Sequence, residues 1–437
     1  MGVLAGSFGA LREREFRLLW VGQLLSNAGS SLLPVALAFA VLELGSAHDL
    51  GFAYAALIVP NLVLTLIGGV WADRLPRQRV MLVSDIVRGS AQTVMAMLLV
   101  GGQAELWHLF LLTAVYGSAN AFFVPAANGL VPEVVSAERL QQANALMSLS
   151  RRFTNVGGPV VSGAVVAWLG PGWVYGLDGM TFFFSAVFLS AVRPTIRAVV
   201  RERFVAELVS GWREVRSRTW VWASILYFSM WNLAFTPFYV LGPYIVKRDL
   251  GGPSRWGLIL AMTALGYIAG GVISLRLRPS RPLFIGYLLI AIYALPLEFL
   301  AYGFPAVVIG LGAMAGGATL EIANTLWYTT LQRRVPQKTL SRVLSYDALG
   351  SLIFAPIAYV IAAPIASVIG ERATLLGAGS LLWISAVLVA AVPSIRQLRD
   401  DEGVPTVLGE AASMPGPQPA ASAAGESRAQ ARRGRLP

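Results

Sequence analysis

The sequence predicts an all-α membrane protein of twelve membrane-spanning helices in two six-helix halves, and three observations carry that prediction. Mostly apolar runs of about 20 residues, the length a helix needs to cross a bilayer, recur twelve times along the 437 residues. Basic residues collect in alternate connections between those runs. Landmarks of the first six runs return in the second six at a nearly constant shift.

Composition sets the class. With 56% hydrophobic and 13% charged residues and a mean hydropathy of +0.64, the chain is more apolar and less charged than soluble proteins. The net charge of +11 would suit nucleic acid only if the arginines shared one soluble face with aromatic residues between them. They punctuate apolar runs instead, so nucleic acid is not an expected partner. No cysteine is present, which removes disulfides, thiolate metal sites and cysteine nucleophiles. His48 and His108 are the only histidines and belong to no cluster with metal spacing, so neither a metal nor an enzyme is expected. No phosphate-binding Gly-x-x-x-x-Gly-Lys-Ser/Thr loop occurs, which argues against a pump driven by its own ATP hydrolysis.

Taken in order, residues 1–17 form a basic N-terminus with Arg12, Arg14 and Arg17. The apolar segment that follows exceeds a signal-peptide core and no cleavage pattern follows it, so it reads as the first span. Residues 18–193 hold spans at about 18–44, 50–72, 79–101, 106–129, 145–169 and 174–193. Residues 194–218 place Phe204, Leu208 and Trp212 at helical spacing among arginines and read as an amphipathic linker on the membrane surface. Residues 219–395 hold spans at about 219–246, 254–276, 282–302, 305–329, 344–368 and 372–395. From 396 to 437 the composition shifts to Pro, Ala, Ser, Gly and Arg without periodicity, which predicts a disordered tail.

Arginine and lysine precede the first span and mark the connections at 74–79, 139, 193–218, 276–281 and 333–342 and the end at 396. The positive-inside tendency then puts both termini and the linker in the cytoplasm. Lys247, Arg248, Arg255 and Arg372 oppose it, but they are four of 34.

The connection after the second span runs Gly68-Gly69-Val70-Trp71-Ala72-Asp73-Arg74-Leu75-Pro76-Arg77-Gln78-Arg79. A shift of 202 lays Gly68-Gly69 on Gly270-Gly271, Arg74 on Arg276 and Arg79 on Arg281, with Leu275 in place of Asp73. A shift of 204 lays Val131-Pro132 on Val335-Pro336, and a shift of 205 lays Pro159 on Pro364. Three registrations this close together argue for duplicated halves in which only the first copy of the loop carries an acid.

Gly69, Asp73, Arg74 and Arg77 resemble the loop between the second and third helices of the major facilitator superfamily, although Pro76 and Gln78 replace the Gly and second basic residue of its pattern. Over residues 11–395 the twelve spans, long central linker and duplication are similar to that family, whose parallel halves are related about an axis along the membrane normal. Gly158-Pro159-Val160-Val161-Ser162-Gly163 in the fifth span resembles the Gly-Pro-x-x-Gly-Gly element of its proton-coupled exporters, with Ser162 for one Gly. Phe123-Val124-Pro125-Ala126, Leu130-Val131-Pro132-Glu133 and Leu140-Gln141-Gln142-Ala143-Asn144 resemble bacterial macrolide and siderophore exporters. The resemblance implies a transporter of the bacterial inner membrane, working as a monomer and exporting a small, amphipathic molecule by proton antiport and alternating access. A proton gradient would be its energy source, with no cofactor, and the lipid bilayer its other partner. An importer by proton symport on the same fold is the first alternative, and a non-transporting membrane receptor the second.

Ionisable residues inside spans are costly and become functional candidates. Glu321 lies roughly 24 Å along the tenth span at about 1.5 Å per residue. Asn324, Thr325 and Tyr328 follow at three, four and seven residues and complete a polar stripe. A buried carboxyl without a counter-ion can exchange protons near neutral pH. That requirement favours Glu321 as the proton-coupling residue over Asp85, which has Arg88 three residues on. Glu298, on a helix expected to be peripheral, is a second candidate. In the family, helices one, four, seven and ten line the cavity, which here implies Gln23 and Asn27, Tyr116 and Asn120, Tyr227, Trp231 and Asn232, and the Glu321 stripe. Phe123, Trp231 and Trp327 would supply apolar walls. The resemblance further implies that Asp73 latches against the positive N-terminus of the eleventh helix, which Asp347 opens. Asp85 and Arg88 are read as gating or structural residues.

Overall fold

The computed structural model describes residues 9–72, 75–194 and 212–399, which form one compact unit. Asp73 and Arg74, most of the expected amphipathic linker and the expected disordered tail from 400 lie outside the described residues.

The described chain is almost entirely helical. In the first half are α1 (Arg14–Leu44), α2 (Ala47–Ala72), α3 (Arg77–Val100), α4 (Leu106–Leu130), α5 (Leu140–Leu169) and α6 (Pro171–Ala191). The second half has α7 (Thr219–Asp249), α8 (Pro253–Ser274), α9 (Pro282–Ala301), α10 (Ala306–Arg334), α11 in two segments (Gln337–Leu352 and Ala355–Ile369) and α12 (Glu371–Ala391). Eleven described helices are long and apolar enough to span a membrane. The remaining one, α5, has the length at 30 residues but carries Asn144, Arg151, Arg152 and Asn155, so its mean apolarity is diluted.

Two spans differ in detail from the sequence reading. The eleventh begins at Gln337, about two turns before 344, directly after Pro336, which caps it. It breaks at Ile353–Phe354, ahead of Pro356. α1 breaks likewise at Ser31–Leu32, where Leu33 and Pro34 restart it. Gly170 (φ 87°) turns α5 into α6, and Gly370 (φ 90°) turns α11 into α12. A side chain is strained in that left-handed region, so glycine ends both helices at equivalent places.

The helix pairings repeat with an offset of six. In the first half α2 packs on α4, α3 on α6 and α4, and α1 on α5 and α6; in the second, α8 packs on α10, α9 on α12 and α10, and α7 on α11 and α12. Between the halves α5 meets α8 and α2 meets α11. Adding six to the first pair and subtracting six from its partner gives the second, as a two-fold relation requires. The outside is apolar: Trp168, Val368, Leu275 and Phe153 are 87, 83, 78 and 76% exposed, a surface that suits lipid and not water.

Candidate functional site

The two halves are sealed at the end of the bundle where α1 passes to α2 and α7 to α8, here the far end; the opposite one, where Arg77 and Arg334 lie, is the basic end. A β-carbon at Gly51 of α2 would stand 2.2 Å from the carbonyl oxygen of Tyr359 of α11, and one at Gly257 of α8 would stand 2.2 Å from that of Pro159 of α5. Only glycine lets two backbones come this close. Tyr54 stacks on Tyr359 with centroids 4.9 Å apart, Lys247 Nζ donates to the Leu42 carbonyl at 2.5 Å, and Ser254 Oγ donates to the Gly163 carbonyl at 3.2 Å. The Gly158–Gly163 element thus lies where α5 meets two partners. Ser162 Oγ donates to the carbonyl of Leu32 at the α1 break (2.7 Å), Gly158 admits Ser31, and Gly163 admits Pro253 of α8.

Nearer the basic end the halves are joined by an ion pair that the sequence did not announce. Arg152 Nη2 of α5 lies 2.7 Å from Glu321 Oε1 of α10, with the side chains 44 and 21% exposed. Asn144, Ser148 and Asn155 are also exposed on α5 and share a face with Arg152, at spacings of three and four residues. At this depth such a face can be accommodated only against water or protein. Glu321 is therefore not the unpaired carboxyl that proton exchange requires of it, because α5, which is not among helices one, four, seven and ten, brings Arg152 to it. Glu298, on α9, accepts a hydrogen bond from Trp383 Nε1 of α12 at 2.8 Å.

Inside the first half lies a buried polar cluster. Asp85 and Arg88 pair at 2.5 Å, 0 and 3% exposed. The Arg88 guanidinium donates to Asn120 Oδ1 at 3.3 Å and sits 3.9 Å over the Phe123 ring and 4.3 Å over Phe182. Tyr116 Oη lies 3.4 Å from Ser30 Oγ. Two turns from Asp85 toward the far end, Gln92 Nε2 donates to Asp178 Oδ2 of α6 at 2.6 Å. Asp178 is fully buried, and its Oδ1 has no hydrogen-bond partner in the structure. The sequence reading missed this acid although the signal was available: an aspartate lies four residues into the apolar run at 174–193, with Gln92 in the helix it faces.

The second half treats several expected cavity residues as core. Trp327 is 1% exposed, donates from Nε1 to Asp347 Oδ2 at 3.1 Å and packs on Trp220 and Phe228. Tyr227 packs on Tyr287 at 5.0 Å, and Asn232 donates to the Ser351 carbonyl of α11 at 3.0 Å. Trp231 packs on Phe235 and Tyr293. Trp327 and Phe123 are thus buried within their own halves and are not cavity walls. Gln23 is buried, Asn27 and Asn324 are half-buried, and Tyr328 is 46% exposed. Asp347 does not open its helix: it lies ten residues inside Gln337–Leu352 and is 4% exposed. At the basic end Arg77 bonds Glu133 Oε1 and the Gly129 carbonyl, each at 2.8 Å, and Trp212 packs on Tyr346. Among the described residues no group of three His, Asp or Glu could hold a metal.

A family model described as Major Facilitator Superfamily matches residues 19–353. Macrolide efflux protein A of Streptococcus pyogenes is 23% identical, over 88% of this chain and 97% of its own. Enterobactin exporter EntS of Shigella boydii is 26% identical, over 88 and 93%. The crystal structure of a bacterial homologue of the human lysosomal transporter Spinster, in an inward-facing and unoccupied conformation, superposes with a TM-score of 0.65 at 16% identity, covering 89% of this chain and 98% of that one. At that identity it speaks to the fold alone.

Proposed function

This chain belongs to the major facilitator superfamily and is a multi-pass membrane transporter, not an enzyme; from that premise we propose that it exports a small amphipathic molecule across a bacterial inner membrane in exchange for protons. The observation that carries the reading is the unequal seam between the halves. Backbones in glycine-to-carbonyl contact close the far end, whereas among the described residues toward the basic end the halves are joined by the half-exposed pair Arg152–Glu321. With the basic end in the cytoplasm, by the positive-inside tendency, this is a carrier open inward, and rocking the halves would exchange the closed end for the open one. Its relatives, an efflux protein for macrolides and an exporter of enterobactin, support the outward direction.

Glu321 takes part in the proton step in this reading. A proton arriving on its carboxylate cancels the attraction to Arg152 and loosens the halves; its departure restores the pair. Asp73 serves as a latch near α11 when the carrier is closed inward, and the gradient supplies the energy without a cofactor. Everted vesicles under an inside-acid pH gradient test the reading with a panel of compounds chosen from the growth inhibition of an efflux-deficient strain. Accumulation in the lumen is the expected result, and cargo leaving the lumen with the protons would reverse the direction. Glu321→Gln should abolish gradient-driven accumulation while sparing binding, and undiminished accumulation would remove Glu321 from the role.

A further inference from the structure

Asp178 is a second acid inside the bundle, and its surroundings differ from those of Glu321. On α3 it faces Asp85, Arg88 and Gln92; on α4, Tyr116; on α6 itself, Tyr175. From α1 it meets the backbone at Gly29, where a β-carbon would come within 2.6 Å of Oδ1. The remaining neighbour, α5, keeps its charges Arg151 and Arg152 exposed. Arg88 is committed to Asp85 at 2.5 Å, so among the described residues the Asp178 carboxyl has only a neutral amide, that of Gln92, as hydrogen-bonded partner. With both aspartates charged, the cluster of Asp85, Arg88 and Asp178 carries one net negative charge; a proton on Asp178 makes it neutral. An uncompensated charge sealed from water is strongly disfavoured, so the two proton states differ in what the surrounding helices must tolerate.

Next to this cluster lies the break in α1. Gly29 lies two residues before the α1 break at Ser31–Leu32. Beyond the break, the segment Leu33–Leu44 touches α7 and α8 of the other half and offers its Leu42 carbonyl to Lys247 at the far-end seal. We propose that Asp178 binds and releases a proton coupled to the transport cycle, acting on the α1 hinge, with Gln92 as the residue that orients its carboxyl. The proton is held on Asp178 Oδ1, the oxygen without a donor, and is exchanged with water in the arrangement of the cycle that admits water to this site; no other bond changes. Coupling to cargo rests on the export reading; proton binding and hinge movement do not.

Both can be read without cargo, on the purified full chain in liposomes stepped in pH. Infrared spectroscopy should show a carboxylic-acid C=O band that titrates in the wild type, is lost in Asp178→Asn and survives in Glu321→Gln. Spin labels on His48→Cys and Val368→Cys, one in each half at the far end, should show a distance distribution that shifts with pH in the wild-type background and stays fixed with Asp178→Asn. A band unchanged by Asp178→Asn overturns the proposal, as does a pH-dependent distance that survives the substitution. Should Asp178→Asn fail to fold, Gln92→Leu replaces it: the band must shift in frequency when the amide is gone, and an unmoved band is equally fatal. Wild-type vesicles that move no cargo while the band and the distance still titrate would sink the export reading and leave this one standing.

Discussion

Gly257→Ala tests whether the far-end seal holds the halves in the observed arrangement. The added methyl would stand 2.2 Å from the Pro159 carbonyl oxygen and 3.3 Å from Gly163 Cα. Carbon atoms do not approach such an oxygen closer than 3.0 Å, so α8 must withdraw from α5 by about 0.8 Å. The obstacle is backbone and cannot rotate away. Overpacking of this kind costs about 1–3 kcal/mol, and here the cost falls on the sealed arrangement and not on the alternative in which α5 and α8 part at this end. The balance between the two should therefore move about 5- to 150-fold toward the parted state. Because the chain has no cysteine, thiols introduced at His48 and Val368 are its only ones, and electron–electron resonance between labels there reports the separation of α2 and α11. These helices are not the ones mutated, so a longer distance would show that each half moves as a body. A folded Gly257→Ala protein with an unchanged distance distribution would refute both the seal and the rigid-body argument.

Two further outcomes concern stability. Arg77→Ala removes the bonds to Glu133 and the Gly129 carbonyl that fasten the start of α3 to the end of α4, and should cost about 1.5–3 kcal/mol in thermal unfolding; an unmoved midpoint would show that this end of the bundle is not held there. Trp327→Phe keeps the ring contacts with Trp220 and Phe228 but strips the buried Asp347 of its indole donor, a loss of about 1–3 kcal/mol. Adding Asp347→Asn should then cost less than it does in the wild type, and strict additivity would show that the two side chains are not coupled.

The fold was legible because bilayer physics writes it in one dimension. Length, apolarity and the alternation of arginines give the number of helices, and the 202-residue echo of the loop at Gly68 and Gly69 gives the two halves. Where prolines restart helices, as at Pro34 and Pro356, the breaks could have been read but their functional place could not. The site was legible in part. Asp85 with Arg88 lies three apart on one helix, so its meeting is local and the spacing reveals it. Arg152 with Glu321 joins residues 169 apart, and no periodicity connects them. Trp327 and Tyr227 show the opposite limit. A helix in a packed half has aromatic residues on more than one side, and the sequence cannot tell which side faces the other half. Asp178 is legible as an acid inside an apolar run, but its partner Gln92 is 86 residues away and no spacing connects the two.

The reciprocal seam has a consequence for how such a molecule can be assembled. The edge formed by α2 and α5 of the first half fits the edge formed by α11 and α8 of the second, and the two contacts, Gly51 on Tyr359 and Gly257 on Pro159, use the same device in opposite directions. This is the geometry of an isologous interface, in which one surface recognises its own copy. The covalent connection from 194 to 218 is then not what specifies the partnership. Two separately synthesised polypeptides, cut within that connection, are therefore expected to pair in the membrane as the complete carrier.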